Sequence, residues 1–451
     1  MSVKNQFLDH ALLAALAVIA AGLLAIWPIP HTIAIRNILL VIGFLVSLPV
    51  ILRNRGLFTF TKSLPIIFIA LLFLWLLFHY QFFSWDSAAQ LDELKSVWLR
   101  AFLAACIALA LSILIPLKQS WMYLIYFGFF SPILIYFYSY AQLVLKSQQW
   151  LHLNFPGLVD HKIVLGYAGI LFIATALAIF LHWLSYKSIN KYQRGLIGFF
   201  LLVGVVLSLI SFVLVNTRNG IGAFIILLSV WVFVYFIQSV KLKKYVAPLA
   251  ILVMIIGIAG YGVHKHLKLN QQWNTFLEDV VIGYQVDTYP HWQDHAKGFP
   301  NNSIGVVNVS TYERTAWATV GLRYLNQYPF GAGVLGDSLR RMAAQNGIES
   351  NSLRFSHSGW IDLTLAIGTP GFLLILLSML SSFYWALKSR TEVASVSIWW
   401  LLAIALYWLI AELATNKHFV EMLIFMLVFI GAVNSFSAKE SSPKNKLRDL
   451  N

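Results

Sequence analysis

The side chains of this sequence best suited to acid–base chemistry are one histidine and two acidic residues. His357 lies where the long polar stretch 264–356 gives way to a hydrophobic segment. An imidazole exchanges protons near neutral pH and can act as a general base when a carboxylate orients it. Asp362 lies five residues after His357, about 140° away round a helix, and is therefore a poor direct partner for its ring. Glu412, near the end of a later apolar segment, is not bound by that geometry and is the better candidate partner. His357 is the best catalytic candidate of the chain, although a lone histidine at the entrance of a span is more often an interfacial residue than a base. Asp362 and Glu412 are candidate supporting residues, and Glu412 is an orienting partner, a competing base or a structural cap.

Arg218 is the candidate ligand for an anion. It is the only basic residue of the short polar segment 216–220, which precedes an apolar run. A helix that begins there offers unpaired N–H groups and the positive end of its dipole, and a guanidinium adds a fork that suits phosphate. The alternative is one arginine that reaches lipid headgroups. We predict an anion site at Arg218.

Two further arginines lie in a predicted amphipathic helix over 311–327. Arg314 and Arg323 are nine residues apart, and at about 100° per residue they fall on opposite faces. Arg314 shares its face with Trp317, in a stripe that can pack against a membrane domain. We therefore predict that Arg314 points inward, and that Arg323 lies in solvent or at headgroups.

The sequence lacks the usual motifs for binding a catalytic metal or a nucleotide. His264 and His266, and likewise His291 and His295, have spacings that metals can use, yet no cysteine joins them and no His-Glu-x-x-His pattern occurs. There is also no P-loop and no Gly-x-Gly-x-x-Gly fingerprint. We predict a site without metal or cofactor, and no chemistry driven by ATP or a soluble nucleotide sugar.

The elements that must position these residues are membrane helices. Of the 451 residues 59% are hydrophobic and 11% charged, and the mean hydropathy is +0.75, far from the balance of soluble domains. We predict an all-α integral membrane protein with about 12 transmembrane helices, because a crossing needs roughly 17 to 25 apolar residues. The predicted spans are 10–28, 34–52, 64–80, 98–116, 120–145, 164–184, 196–215, 221–238, 246–263, 359–387, 395–413 and 418–436.

Lysine and arginine residues set the predicted orientation. Most of them lie with both termini on one side of the spans, and the positive-inside rule makes that side cytoplasmic. Topology and attraction to anionic lipids explain the net charge of +14 better than binding to nucleic acid does. The short loops on the predicted outer side and their flanks carry few basic residues, namely Arg36, Lys95, Arg100, Lys146, Lys162, Arg218 and Lys417.

One membrane domain interrupted by a polar cap is the predicted organisation. The cap, defined as residues 264–356, lies on the outer side and contains short amphipathic helices, one of them over 337–345 with Asp337 as N-cap. The predicted divisions are helices 1 to 9 in 1–263, the cap in 264–356, helices 10 to 12 in 357–436 and a cytoplasmic tail in 437–451.

The tenth span carries the one interruption within the membrane, Gly368-Thr369-Pro370-Gly371. A tolerated proline kink is the favoured explanation. Ionisable groups are scarce at mid-depth, and this argues against an ion-coupled transporter.

Taken in order, these motifs resemble the O-antigen ligase family, within the superfamily that also holds O-antigen polymerases and bacterial protein-linking oligosaccharyltransferases. The motifs that carry the resemblance are Thr217-Arg218-Asn219-Gly220 at the start of a span, Arg314-x-x-Trp317, Tyr328-Pro329-Phe330-Gly331-Ala332-Gly333, Ser356-His357-Ser358-Gly359-Trp360 and Gly368-Thr369-Pro370-Gly371. The family often has alanine and asparagine where this chain has Asn219 and Ser358.

The resemblance implies an inner-membrane glycosyltransferase that works on the periplasmic face. It would move polymerised O-antigen from undecaprenyl diphosphate to lipid A-core, without a metal and with inversion. Carried over by motif, His357 is the essential histidine, and Arg218 and Arg314 bind the diphosphate, while Arg323 stays a candidate supporting residue. A diphosphate leaving group gains negative charge, which arginines can stabilise.

Three other functions remain open at this stage. A polymerase or a protein O-oligosaccharyltransferase would use the same lipid-linked donor with another acceptor. A flippase or exporter of lipid-linked glycans would bind without chemistry, and would need a polar cavity through the membrane and no essential His357.

Overall fold

Helices that can cross a membrane make up most of the molecule. The computed structural model describes residues 3–150, 162–185, 190–241, 257, 275–294, 298–349, 353–389 and 391–437. Within these residues eleven helices are long and apolar enough to span a bilayer, which confirms the predicted all-α multi-pass membrane protein. The predicted ninth span 246–263, except Gly257, and the predicted tail after Ser437 lie outside the described residues, as do His264, His266 and His295.

The helices of the membrane domain follow the predicted spans closely. The fourth span is longer than predicted, because Asp86 caps a helix that starts at Ser87 and its side chain accepts a hydrogen bond from the Ala89 N–H (3.0 Å). The helices are α1 (Val3–Ile26), α2 (Ile33–Arg53), α3 (Phe60–Phe82), α4 (Ser87–Glu93), which continues through a π-helical turn (Leu94–Trp98) into α5 (Leu99–Leu114), α6 (Met122–Ser147), α7 (Lys162–Ser185), α8 (Lys191–Leu214), α9 (Arg218–Lys241), α13 (Gly359–Ser389), α14 (Glu392–Ile410) and α15 (Lys417–Ser437).

Two of these helices form the centre of the bundle. In α7 and α15, 94% of the residues in the most apolar 18-residue stretch are buried inside the protein, whereas the share is 28% in α2, α8 and α9. Helix α15 packs against α3, α5 and α13, while α7 packs against α6, α8, α9 and α14. The central helices are therefore fixed by neighbours on all sides, and the outer ones present apolar side chains to lipid.

Besides a 3-10 helix (Pro290–Gln293), the cap contributes three α-helices and a small hairpin among its described residues. They are α10 (Phe276–Tyr284), the paired strands β1 (Asn301–Asn302) and β2 (Gly305–Val306), α11 (Val309–Gln327) and α12 (Ser338–Gln345). Helices α11 and α12 confirm the predictions over 311–327 and 337–345. The Asn308 side chain caps α11, whereas Asp337 stands before α12 without a capping bond and pairs with Arg340 instead.

The kink in α13 lies at Gly368, two residues before Pro370, and it binds the cap. Gly368 leaves the helical conformation, with φ 75° and ψ 167°. The carbonyls of Leu365 and Ala366 accept hydrogen bonds from the N–H groups of Ala332 and Gly333, both at 2.8 Å, and the turn 328–333 thereby packs into the bundle. A Cβ on Gly368 would lie 2.2 Å from the Phe330 carbonyl oxygen, so only glycine fits there.

Side chains of α3 and α4 secure the same turn from the other side. The His79 imidazole donates to the Phe330 carbonyl (2.9 Å) and accepts from the Gln90 amide (3.0 Å). The Phe83 ring stacks on Phe330 at 4.3 Å, and the Glu93 carboxylate accepts from the Leu335 N–H (2.7 Å). The cap is thus joined to the membrane domain by buried polar contacts.

Candidate active site

The segment before α9 places two polar side chains at the end of the bundle that contacts the cap. Thr217 is buried and caps α9, because its hydroxyl oxygen accepts from the Gly220 N–H (3.3 Å). Arg218 and Asn219 therefore occupy the first helical turn. The N-terminus of a helix carries the positive end of its dipole, so both residues occupy a position that favours an anion.

Asn219 connects three elements that are far apart in the sequence. Its amide oxygen accepts a hydrogen bond from Arg314 Nη1 of α11 (3.1 Å), and its amide nitrogen donates to the Ile410 carbonyl at the end of α14 (2.7 Å). Because one end of the amide must accept and the other must donate, these two bonds define its orientation. Arg314 is thereby held at the junction of the cap with the bundle.

Arg314 is charged, largely buried and only partly satisfied. Burial lowers the pKa of Arg314, and the neighbouring Arg218 lowers it as well, while Glu412 raises it. Among the described residues the Nε atom of Arg314 has no hydrogen-bond partner, although it is buried. A buried guanidinium N–H normally has an acceptor, so this donor is available to an anionic ligand.

A cavity of about 490 Å³ lies against these residues. Three cations line it, Lys162, Arg218 and Arg314, and no carboxylate does so among the described residues. The first turns of three helices also meet here, since the lining includes residues of α7, α9 and α11. Helix N-termini and cations together favour a ligand with several negative charges. The complete described lining is Lys162, Ile163, Asn216, Thr217, Arg218, Asn219, Phe276, Val280, Ser310, Thr311, Arg314, Thr315 and Ile410.

His357 and Glu412 form a hydrogen-bonded pair beside the cavity. His357 Nδ1 contacts the Glu412 carboxylate, and both side chains are mostly buried. The imidazole also stacks on Trp317, with 5.2 Å between centroids and 9° between planes, and meets the edge of Phe355. With Nδ1–H donated to a carboxylate, Nε2 carries the lone pair that accepts a proton. Glu412 also interacts electrostatically with Arg314, so the pair and the cations belong to one site.

The backbone of His357 is held in the left-handed region, with φ 62°. Asp362 stabilises this conformation, because its carboxylate accepts from the Ser356 N–H (2.7 Å) while its own N–H donates to the Ser358 carbonyl (2.9 Å). Asp362 therefore contacts the backbone around His357 rather than its ring, in agreement with the helical geometry of the sequence. Such conformations in non-glycine residues cluster at functional sites.

Arg323 lies away from the cavity. It forms an exposed two-point ion pair with Asp287, with distances of 2.7 and 2.8 Å, on the opposite face of α11 from Arg314. The structure thus separates the two arginines as predicted, and Arg323 is not among the described residues that line the cavity.

Two residues at the site were missing from the predictions of the sequence. Lys162 was counted only among the outer basic residues, and Asn219 only as a departure from a motif. The signal for Lys162 is its position immediately before a span, which is also the position of Arg218. No local signal marks Asn219 as the partner of Arg314, because 95 residues separate the two.

Comparison with known proteins gives one family match over part of the chain. Residues 203–376 match the family model described as O-antigen ligase. The matched segment contains Arg218, Arg314 and His357, whereas Lys162 and Glu412 lie outside it. A search of curated proteins finds no match to the chain.

Proposed function

We propose that this chain, whose residues 203–376 match the O-antigen ligase family model, transfers O-antigen polysaccharide from undecaprenyl diphosphate to lipid A-core. The reaction takes place on the periplasmic face of the bacterial inner membrane, with both termini in the cytoplasm. The observation that carries the proposal is the cavity lined by three cations beside a histidine–carboxylate pair.

The cations bind the diphosphate of the donor. Arg218 lies in the first turn of α9, and Arg314 presents a buried Nε donor with no partner among the described residues. When the bond between the sugar and the phosphate breaks, the leaving undecaprenyl diphosphate gains negative charge. Preorganised guanidinium groups in a poorly solvated site stabilise that charge without a metal.

His357 accepts the proton of the acceptor. A core-sugar hydroxyl of lipid A-core attacks the anomeric carbon, and its proton passes to His357 Nε2 as the new C–O bond forms. The carboxylate of Glu412 holds the ring through Nδ1 and stabilises the imidazolium that results. Trp317 stacks on the ring and fixes its plane.

The proposed reaction is a single in-line displacement with inversion at the anomeric carbon. One C–O bond forms to the acceptor oxygen and one breaks to the diphosphate oxygen, so atoms and charges balance with one proton left on His357. A covalent glycosyl intermediate would need a carboxylate as nucleophile. Glu412 is engaged with His357, so it serves the base instead.

The experiment is a complementation of a strain that lacks this protein. Membrane expression is matched for wild type, His357→Ala and the control His10→Ala, whose exposed imidazole forms a hydrogen bond with the Gln6 carbonyl. Lipopolysaccharide chain length and the undecaprenyl-linked glycan pool are both measured. We expect His357→Ala to lose long chains on lipid A-core while polymer accumulates on the carrier, and His10→Ala to behave as wild type.

Other outcomes identify the competing functions. Absence of polymer on the carrier when the protein is missing would make it a polymerase, and glycan on protein rather than lipid A-core would make it an oligosaccharyltransferase. Long chains on lipid A-core with His357→Ala would contradict the catalytic role of the histidine. Unchanged glycosyl transfer but failed delivery of donor to the periplasmic face would favour a flippase.

A further inference from the structure

We propose that Lys162 is a third phosphate-binding residue and that it makes the site selective for diphosphate over monophosphate carriers. The inference rests on the proposed function and names a residue outside the matched segment 203–376. It follows from three features of the cavity: where Lys162 is anchored, which charges surround it, and how many negative charges they can neutralise.

The backbone that carries Lys162 is fixed although its side chain is exposed. Lys162 is the first residue of α7, one of the two central helices of the bundle. The buried Tyr407 hydroxyl donates to the carbonyl of Ile163 (2.9 Å) and ties this helix start to α14. The ammonium group thus reaches the cavity on a flexible stem from a rigid base, and can adapt to ligands of different length.

Lys162 lies among like charges. It interacts electrostatically with Arg218 and Arg314, and Glu412 is the carboxylate that acts on it in return. Glu412 is itself paired with His357 and also acts on Arg314. Three cations that share one cavity repel each other at close range, and a multiply charged anion removes that repulsion.

The third cation matches the charge of a diphosphate. Two arginine forks suit the oxygens of one phosphate, as in many monophosphate sites. A diphosphate presents a second phosphate with further charge, and a lysine ammonium at the exposed rim provides a point charge for it. Loss of Lys162 should therefore weaken binding of a diphosphate carrier and leave a monophosphate carrier almost unaffected.

The test uses the full chain in nanodiscs of zwitterionic phosphatidylcholine, so that anionic lipid headgroups cannot occupy the site. Dissociation constants for undecaprenyl diphosphate and undecaprenyl phosphate are measured for wild type, Lys162→Gln, Arg314→Ala and the control Lys146→Gln. Lys146 is an exposed lysine in the last turn of α6 and does not line the cavity. Thermal unfolding of each variant verifies that it is folded.

We expect Lys162→Gln to raise the dissociation constant for the diphosphate about tenfold and that for the monophosphate less than about twofold. The effect should shrink at high ionic strength, because Lys162 is exposed and screened by salt. Lys146→Gln should leave both constants unchanged.

The two proposals fail in different ways. If Arg314→Ala weakens diphosphate binding and Lys162→Gln does not, Lys162 has no role in the site and the proposed function is unaffected. If Lys162→Gln weakens both carriers equally, the selectivity is refuted. If Arg314→Ala has no effect on either carrier, the cavity is not the donor site and the proposed function itself loses its support.

Discussion

Replacing Asn219 by alanine tests whether Arg314 must be held in place by its neighbours. The substitution removes the acceptor for Arg314 Nη1 and the donor to the Ile410 carbonyl, at 3.1 and 2.7 Å. The guanidinium itself remains, with its buried Nε atom. The expected change is therefore a loss of position rather than a loss of charge.

The magnitude follows from the bond to the charged group. Hydrogen bonds to charged partners contribute about 1.5–3 kcal/mol, and each 1.4 kcal/mol is a factor of ten. If the full free energy of this hydrogen bond stabilises the transition state, kcat/KM for the donor falls about 10- to 100-fold when the bond is lost. Asn219→Asp keeps an acceptor but adds negative charge beside the cavity, so it should also raise KM for the diphosphate donor.

The assay is glycosyl transfer by purified protein with lipid-linked donor and lipid A-core acceptor. A double-mutant cycle compares Asn219→Ala, Arg314→Ala and the double variant. If Asn219 acts through Arg314, the double variant is no slower than Arg314→Ala alone. Asn326→Ala, on an exposed position of α11, is the matched control. Fully additive losses, or a wild-type rate for Asn219→Ala, would refute the reasoning.

Three further predictions concern the base, the cap and the distal arginine. Glu412→Gln keeps the shape of the carboxylate but not its charge, so kcat should fall at least about tenfold with little change in KM. A variant in which KM changes and kcat does not would contradict the orienting role of Glu412. Gly368→Ala places a Cβ 2.2 Å from the Phe330 carbonyl oxygen, at a backbone φ of +75°. The backbone strain alone should cost about 1–3 kcal/mol of folding free energy and lower the unfolding temperature. The control Gly222→Ala, where nothing lies within 4 Å of the new Cβ, should leave that temperature unchanged. Arg323→Ala breaks an exposed ion pair with Asp287, so glycosyl transfer should proceed at the wild-type rate. A large loss of that rate would show that the far face of α11 also contacts the substrate.

The seven basic residues of the predicted short outer loops and their flanks are more informative one by one than as a count of charges. The positive-inside rule treats such residues as exceptions, and five of the seven have specific surroundings in the structure. Arg36 and Arg100 interact with the buried Glu421 at 3.6 and 2.8 Å, Lys417 pairs with Glu93 at 3.1 Å, and Lys162 and Arg218 line the cavity. A cation that the topology does not need is therefore a good candidate for a defined role.

Local patterns predicted elements well and contacts between them poorly. The spans, the cap helices over 311–327 and 337–345, and the opposite faces of Arg314 and Arg323 follow from periodicity and composition. The partner of Arg314 is 95 residues away and that of His357 is 55 residues away. Helix geometry already favoured Glu412 over Asp362 as the partner of His357, but no spacing rule links residues on different helices, so only the folded chain shows the contact.

The kink in the tenth span could be predicted from its residues, but its contacts with the cap could not. Proline within a membrane helix usually accounts for an interruption by itself. Here the carbonyls that the break releases are satisfied by N–H groups of the turn 328–333, which belongs to the cap. The interruption therefore has a partner that no analysis of the span alone reveals.

Docking of the cap on the broken helix also assembles the site. Arg314 and Trp317 belong to α11 in the cap, whereas Arg218 and Glu412 belong to the membrane domain. His357 lies between them, at the point where the chain passes from the cap into α13. Since the turn 328–333 directly follows α11, the backbone bonds at Gly368 fix that helix relative to the bundle. The same contacts that satisfy a broken helix thus bring the cations to the base, and a cap that docked elsewhere would leave each half without the other.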